Sequence, residues 1–274
     1  MTGSDVVVVT GAGGMGLAVA RRLGSGRTVI LADASAPALE QAVDSLRAAG
    51  YAATGRLTDV SDAAAVAKLA AAAADAGRLT AIVHTAGVSA ATGTAKAIIE
   101  VDLVGTAHVI DAFGEVAGPG TALVCVSSMA GHYATVAPGD ERALALAPAA
   151  ELRTLDVVRA VGDDPLAAYM LAKRGNHLRV QAAALAWNLR GARINTISPG
   201  VISTAMAAAE SRTASGVHMM AMVEACGAGR TGTPAEIAAA AAYLTGPESL
   251  YVTGTDLLID GGQAAWIRWH REPA

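Results

Sequence analysis

Residues 5–16 read Asp5-Val6-Val7-Val8-Val9-Thr10-Gly11-Ala12-Gly13-Gly14-Met15-Gly16. Four consecutive valines form a continuous apolar run. That is the pattern of a strand buried on both faces, not of one with a wet side. Gly11, Gly13 and Gly16 then satisfy the spacing G-x-G-x-x-G, and residues 15–23 are helix formers. Each glycine has a task in such a loop. Gly11 permits the tight turn, Gly13 or Gly14 lets the backbone approach a pyrophosphate, and Gly16 lets helix and strand touch. The unpaired N–H groups of the first helical turn then face the phosphates. The chain therefore opens with a nucleotide-binding strand–loop–helix unit.

The same alternation continues outward. Short apolar or β-branched runs recur at 28–33, 80–84, 121–127, 192–197 and 256–259, and a third strand precedes Leu57-Thr58-Asp59-Val60. Helices are expected at 36–49, 62–76, 95–116, 167–190 and 234–244. Pro37 suits a first turn, and Ser61 suits a cap. This order implies right-handed βαβ units. The expected fold class is α/β, a Rossmann-type doubly wound parallel β-sheet flanked by helices. Residues 131–165 are too many for an ordinary strand-to-helix connection. With helical pieces at 140–146 and 149–161, they read as a small helical insertion before the 167–190 helix. No linker or repeat divides the chain, so residues 1–274 are expected to form one domain.

Composition excludes several classes. Hydrophobic residues make up 53%, close to half of them alanine, and charged residues 16%. Disorder needs the opposite balance. A net charge of −4 and a pI near 5.8 do not suit an electrostatic nucleic-acid binder. Mean hydropathy is +0.42, but no stretch approaches the ~20 apolar residues of a membrane span. Cys125 and Cys226 are too few for a disulfide framework and fit a reducing compartment. The start, MTGSDVVVVTG, lacks a basic region and a signal-length apolar run. A soluble cytoplasmic protein is the expectation, without nucleic-acid or membrane partners. No metal is expected.

The chemistry-bearing residues follow in order. Asp33 closes the second strand, 22 residues after Gly11. A carboxylate there accepts hydrogen bonds from the adenosine ribose of NAD and repels the 2′-phosphate of NADP. Ala34, Ser35 and Ala36 offer no cation to that phosphate. Asp59, after the third strand, stands where adenine would lie. Tyr169 and Lys173 are four apart in a predicted helix and share a face. A phenol has a pKa of ~10, and a nearby ammonium lowers it toward working pH. Ser128 ends an apolar strand and can hold a carbonyl or hydroxyl oxygen.

With these motifs the sequence resembles the short-chain dehydrogenase/reductase family over nearly its whole length. The resemblance rests on the glycine loop, Asp33, Leu57-Thr58-Asp59-Val60, Ala86-Gly87, Val126-Ser127-Ser128 and Tyr169/Lys173. Asn195-Thr196-Ile197-Ser198-Pro199-Gly200 and Leu258-Ile259-Asp260-Gly261-Gly262 complete it. It implies that Tyr169 is the general acid/base, that Lys173 binds the nicotinamide ribose and tunes Tyr169, and that Ser128 orients the substrate oxygen. It further implies cofactor contacts from Gly11, Gly13, Gly14, Met15, Gly16, Asp33, Asp59, Val60, Ala86 and Gly87. Pro199, Ile202 and Thr204 would flank the carboxamide. Ser128 and Tyr169 are 41 residues apart. The long insertion between them is similar to that of the bacterial 3α-hydroxysteroid dehydrogenase/carbonyl reductase group, which uses NAD(H).

Three departures stand out. The glycine loop is one residue shorter than the family's. Asn-Asn-Ala-Gly is replaced by His84-Thr85-Ala86-Gly87, where His84 reads as structural. The family's catalytic Asn is Asp102, in Val101-Asp102-Leu103-Val104-Gly105. Asp102 either pairs with Lys173 and raises its pKa, or joins the proton relay. The expected function is NAD(H)-dependent interconversion of a secondary alcohol, cyclic and steroid-like ones included, and its ketone. A non-catalytic NAD(H)-binding or redox-sensing protein is the alternative. A nucleotide-sugar epimerase is disfavoured by the short segment after Gly200.

Specificity is expected in a lid at about 201–229, rich in methionine (Met206, Met219, Met220, Met222), and in the insertion. A homo-oligomer, dimer or tetramer, is expected. The tail Trp266-Ile267-Arg268-Trp269-His270 is expected at a subunit interface or beside a substrate pocket.

Overall fold

In the computed structural model of the chain, residues 4–204 and 214–270 are described, the side chains of 214–219 excepted. Strands β1 (Asp5–Thr10), β2 (Thr28–Asp33), β3 (Ala52–Leu57), β4 (Arg78–His84), β5 (Ala122–Val126), β6 (Arg193–Pro199) and β7 (Asp256–Ile259) form one sheet, in the order β3-β2-β1-β4-β5-β6-β7. Every pairing is parallel. Helices α1 (Gly14–Leu23), α2 (Ala36–Ala48) and α10 (Pro234–Thr245) cover one face. Helices α3 (Ala63–Ala76), α5 (Thr106–Val116) and α8 (Pro165–Leu189) cover the other.

The valine run explains this two-sided cover. Val7 and Val9 point into the core of one face, and Val6 and Val8 into the core of the other. All four are completely buried, each contributing about 1.5–3 kcal/mol of apolar burial. Alternation along a strand sends neighbours to opposite faces, so a strand with two covered faces must be apolar throughout.

The edge strand β3, Ala-Ala-Thr-Gly-Arg-Leu, is mostly exposed. It needs no apolar run, which is why it carries only a weak strand pattern.

Two expectations are corrected. The helix expected over 95–116 is interrupted. A short α4 (Ala95–Ile98) passes into a π-helical stretch, Ile99–Gly105, before α5. π segments of this kind gather at functional sites, and this one carries Asp102. Thr106 Oγ1 donates to the Asp102 carbonyl at 2.7 Å. The piece expected at 149–161 is instead a 3-10 stretch, Ala149–Thr154, and one turn, α7 (Asp156–Arg159), separated by the extended Leu155.

Within the 131–165 segment, α6 (Pro138–Leu146) packs on α8. Arg179 of α8 donates to the carbonyls of Leu144 and Ala147, at the helix end where carbonyls lack partners. Arg174 of α8 pairs with Glu141. Leu144 and Leu152 are fully buried in a core shared with Leu103 and Ala172.

Helix α9 (Ala214–Ala225) follows the undescribed stretch, and α11 (Gln263–Trp269) is the last element. Met206 lies outside the described residues. No helix among the described residues is long and apolar enough to cross a membrane.

Candidate active site

From β1 the chain winds to β2 on one side and, later, to β4 on the other. The crevice between two such oppositely leaving connections is where open α/β sheets bind ligands. A cavity of about 420 Å³ lies there, at the carboxyl ends of β1, β2 and β4. Gly11–Gly16, Asp33, Asp59, Val60, Ala86 and Gly87 line it, with Thr204 on its far side.

The glycine loop is shaped by contacts that only glycine allows. Gly11 has φ +92, a region costly for side-chain-bearing residues. A Cβ on Gly16 would sit 1.8 Å from the Gly11 carbonyl oxygen. A Cβ on Gly13 would meet nothing within 4 Å, so that position is open toward the cavity. No side chain caps the N-terminus of α1. Its first N–H groups are therefore available to an anion. The shortened loop still presents this helix end to the crevice.

Residues outside the glycine pattern hold the loop in place. Thr85 Oγ1 donates to the Thr10 carbonyl at 2.8 Å. The Ala12 N–H donates to Asp33 Oδ2 at 2.7 Å, and the Ser35 N–H to Oδ1 at 2.8 Å. Each Asp33 oxygen keeps a lone pair for a ribose hydroxyl. No Lys or Arg is among the described residues lining the cavity. Asp59 is engaged in its own turn, its Oδ1 accepting from Ser61 N–H and Oγ.

At the inner end of the cavity, Gly87 packs between two buried charges. A Cβ there would lie 3.4 Å from Asp102 Oδ1 and 3.5 Å from Lys173 Nζ. Lys173 Nζ is 3.2 Å from Asp102 Oδ2 and 5.2 Å from the centroid of the Tyr169 ring. The Val88 N–H donates to Asp102 Oδ1 at 2.7 Å. Burial raises the Asp102 pKa, opposed by the Lys173 ammonium and the Val88 N–H. Burial likewise opposes the charge on Lys173, but Asp102 together with Tyr169 and Cys125 outweighs it, and the Lys173 pKa is raised. Asp102 thus pairs with Lys173, one of the two roles open to it.

Ser128 caps the 3-10 turn Met129–His132, and its Oγ accepts from the Ala130 N–H at 3.1 Å. Its own O–H proton remains free to donate. Ser127 Oγ donates to the Lys173 carbonyl at 2.9 Å, which pins the end of β5 to α8. Tyr169 and Ser128 are both half-buried.

His84 is a buried connector. Thr106 spends its proton on Asp102, so His84 Nε2–H donates to Thr106 Oγ1 at 3.0 Å. Nδ1 is then left to accept from Thr10 at 2.6 Å. Burial, with Lys173 nearby, lowers its pKa to about 3.

Of the three residues expected to flank the carboxamide, two have buried side chains outside the lining of this cavity. Pro199 is buried at the end of β6, and Ile202 packs into the core beside Gly232. Thr204 is the one of the three at the cavity, its Cγ2 3.6 Å from where a Cβ on Gly14 would be. Thr85, Thr106 and Val88 were not singled out by sequence. Their only signal is proximity to the His84-Thr85 replacement and to Asp102.

The profile described as "short chain dehydrogenase" matches residues 5–138, and one described as "Enoyl-(Acyl carrier protein) reductase" matches 151–264. The chain is 38% identical over 267 residues to short-chain dehydrogenase/reductase bsc3 of Alternaria brassicicola, covering 96% of this chain and 97% of that one. It is 31% identical over 269 residues to galactitol 2-dehydrogenase (L-tagatose-forming) of Cereibacter sphaeroides, covering 94% of each. Among solved structures, the 3-alpha-hydroxysteroid dehydrogenase of Pseudomonas sp. B-0831, in complex with NADH, superposes with a TM-score of 0.76. Identity is 26%, covering 97% of this chain and 99% of that one. A seven-stranded parallel sheet, a glycine-loop crevice and full-length similarity of this kind place the chain in the short-chain dehydrogenase/reductase family of oxidoreductases acting on alcohols and ketones.

Proposed function

We propose that the protein is an NAD(H)-dependent dehydrogenase/reductase for a secondary alcohol, cyclic or steroid-like, and its ketone. The observation that carries the cofactor preference is Asp33. Its carboxylate lines the cavity at the end of β2, with no cation among the described lining residues to receive a 2′-phosphate. The α1 N-terminus and Gly13 would hold the pyrophosphate, and Asp33 the adenosine ribose. A bound nicotinamide supplies the hydride donor or acceptor.

The chain's own groups supply the rest. Tyr169 takes the proton of the substrate hydroxyl in oxidation and returns it in reduction. The Lys173 ammonium favours the phenolate. Ser128, whose O–H proton is free, holds the substrate oxygen against Tyr169. Met129, the residue after Ser128, packs in an apolar cluster with Met222 and with Trp266 and Ile267 of α11. That cluster supports an apolar ring as substrate, with Trp266 beside it.

The test is nicotinamide absorbance with NADH and NADPH against a panel of cyclic ketones and secondary alcohols. Turnover with NADH at kcat/KM at least tenfold above NADPH is expected, and Asp33→Ser should narrow that ratio. Preference for NADPH would refute the cofactor assignment. Tight NADH binding without turnover on any member would favour the non-catalytic reading.

A further inference from the structure

Three side chains that the proposed reaction does not use meet where α8, β7 and the turn after β5 converge. His132 ends the 3-10 turn that Ser128 caps, His177 lies one helical turn beyond Lys173, and Asp256 opens β7. His132 Nε2 is 2.8 Å from Asp256 Oδ2, and His177 Nε2 is 3.5 Å from Oδ1. One ligand atom from each of the three lies within 4.8 Å of the others. The imidazole centroids are 4.9 Å apart.

The carboxylate is oriented from behind. Thr196 Oγ1 and Ser198 Oγ donate to Asp256 Oδ1 at 2.6 and 2.8 Å. Because Ser198 spends its proton on Asp256, His177 Nε2–H donates to Ser198 Oγ, at 2.8 Å. His177, Thr196 and Ser198 are buried. The His132 side chain is 35% exposed and opens the cluster to solvent.

Two imidazole nitrogens and one carboxylate, with hydroxyls fixing the carboxylate, are a donor set for first-row divalent cations. The spread of Cys, His and Asp/Glu ligands accepted by Zn²⁺ includes it, and oxygen-seeking Mg²⁺ and Ca²⁺ are disfavoured. Zn–ligand bonds of ~2.0–2.2 Å put tetrahedral ligand atoms about 3.3–3.6 Å apart. The His177 Nε2–Oδ1 distance falls in that range, and the shorter His132 Nε2–Oδ2 contact is a direct hydrogen bond that a cation would open.

We propose that His132, His177 and Asp256 form a binding site for a divalent first-row transition cation, Zn²⁺ above all, with its fourth position open to solvent beside His132. Each histidine binds as neutral imidazole through Nε2, its proton moved to Nδ1, and Asp256 binds as a carboxylate. No electron or bond in the substrate is involved. The cation clamps the turn after Ser128 to α8 and β7. A Cβ on Gly131 of that turn would sit 2.7 Å from His177 Cε1, so turn and helix already touch.

The experiment uses the full chain, stripped with a chelator and titrated with Co²⁺ and then Zn²⁺. One equivalent of Co²⁺ with tetrahedral ligand-field bands is expected, displaced by Zn²⁺. Zn²⁺ should raise the melting temperature. His132→Ala, at the exposed edge, should keep the wild-type circular dichroism and lose at least tenfold in Zn²⁺ affinity, as should Asp256→Asn. His270→Ala, in the exposed tail, should bind like wild type. Wild-type affinity in His132→Ala, a Co²⁺ spectrum like that of the aqueous ion, or loss of binding in His270→Ala would each overturn the site.

Discussion

The Asp102 carboxylate lies 3.2 Å from the Lys173 ammonium, and neither side chain has more than 6% of its surface exposed. Where the family carries an uncharged amide, this chain has a buried counter-ion. The carboxylate neutralises part of the charge that Tyr169 would otherwise feel. It also raises the Lys173 pKa, which favours the ammonium.

Asp102→Asn removes that counter-charge. Lys173 then acts on Tyr169 alone, and the phenol becomes more acidic. The limb of the kcat/KM–pH profile that reports Tyr169 should move to lower pH. An unmoved limb would show that Asp102 does not act on Tyr169.

Tyr169→Phe keeps the ring and removes the proton carrier. Turnover should fall by about 10²–10⁴-fold, while NADH binding, read by fluorescence, stays near wild type. Full turnover in this variant would end the assignment of Tyr169 as acid/base.

Gly16 and Gly13 separate folding from binding. Gly16→Ala puts a Cβ against the Gly11 carbonyl and should destabilise by at least about 1–3 kcal/mol in urea unfolding. Gly13→Ala meets nothing in the protein and should leave stability unchanged within about 0.5 kcal/mol. Its NADH affinity should nonetheless drop several-fold, because the added methyl stands where a pyrophosphate would approach.

His84 sets an acid limit on stability. Its ordinary value of 6.5 is lowered to about 3 by burial and then by Lys173. Between those values the unfolded chain binds a proton that the folded chain refuses. The contribution is present above pH 6.5 and lost as pH falls toward 3. His84→Gln should cost about 1–3 kcal/mol at pH 7.5, from the broken Thr10 and Thr106 bonds. It should also flatten the loss between pH 6.5 and 5 by about 2 kcal/mol. An unchanged slope in urea unfolding at the two pH values would contradict this.

Periodicity and spacing alone determined the strand–helix alternation, the nucleotide loop and the Tyr169/Lys173 pair. These are local properties: a doubly covered strand must be apolar throughout, a loop that touches its own strand must be glycine, and residues four apart share a helix face. The tertiary structure decided the rest. It bent the 95–116 helix through a π turn that aims Asp102 at Lys173. It fixed the glycine loop with Asp33 and Thr85, sank Ile202 into the core, and gathered His132, His177 and Asp256 at one point. Those partners are separated by tens of residues, and their meeting depends on sheet order and register, which no spacing within the chain encodes.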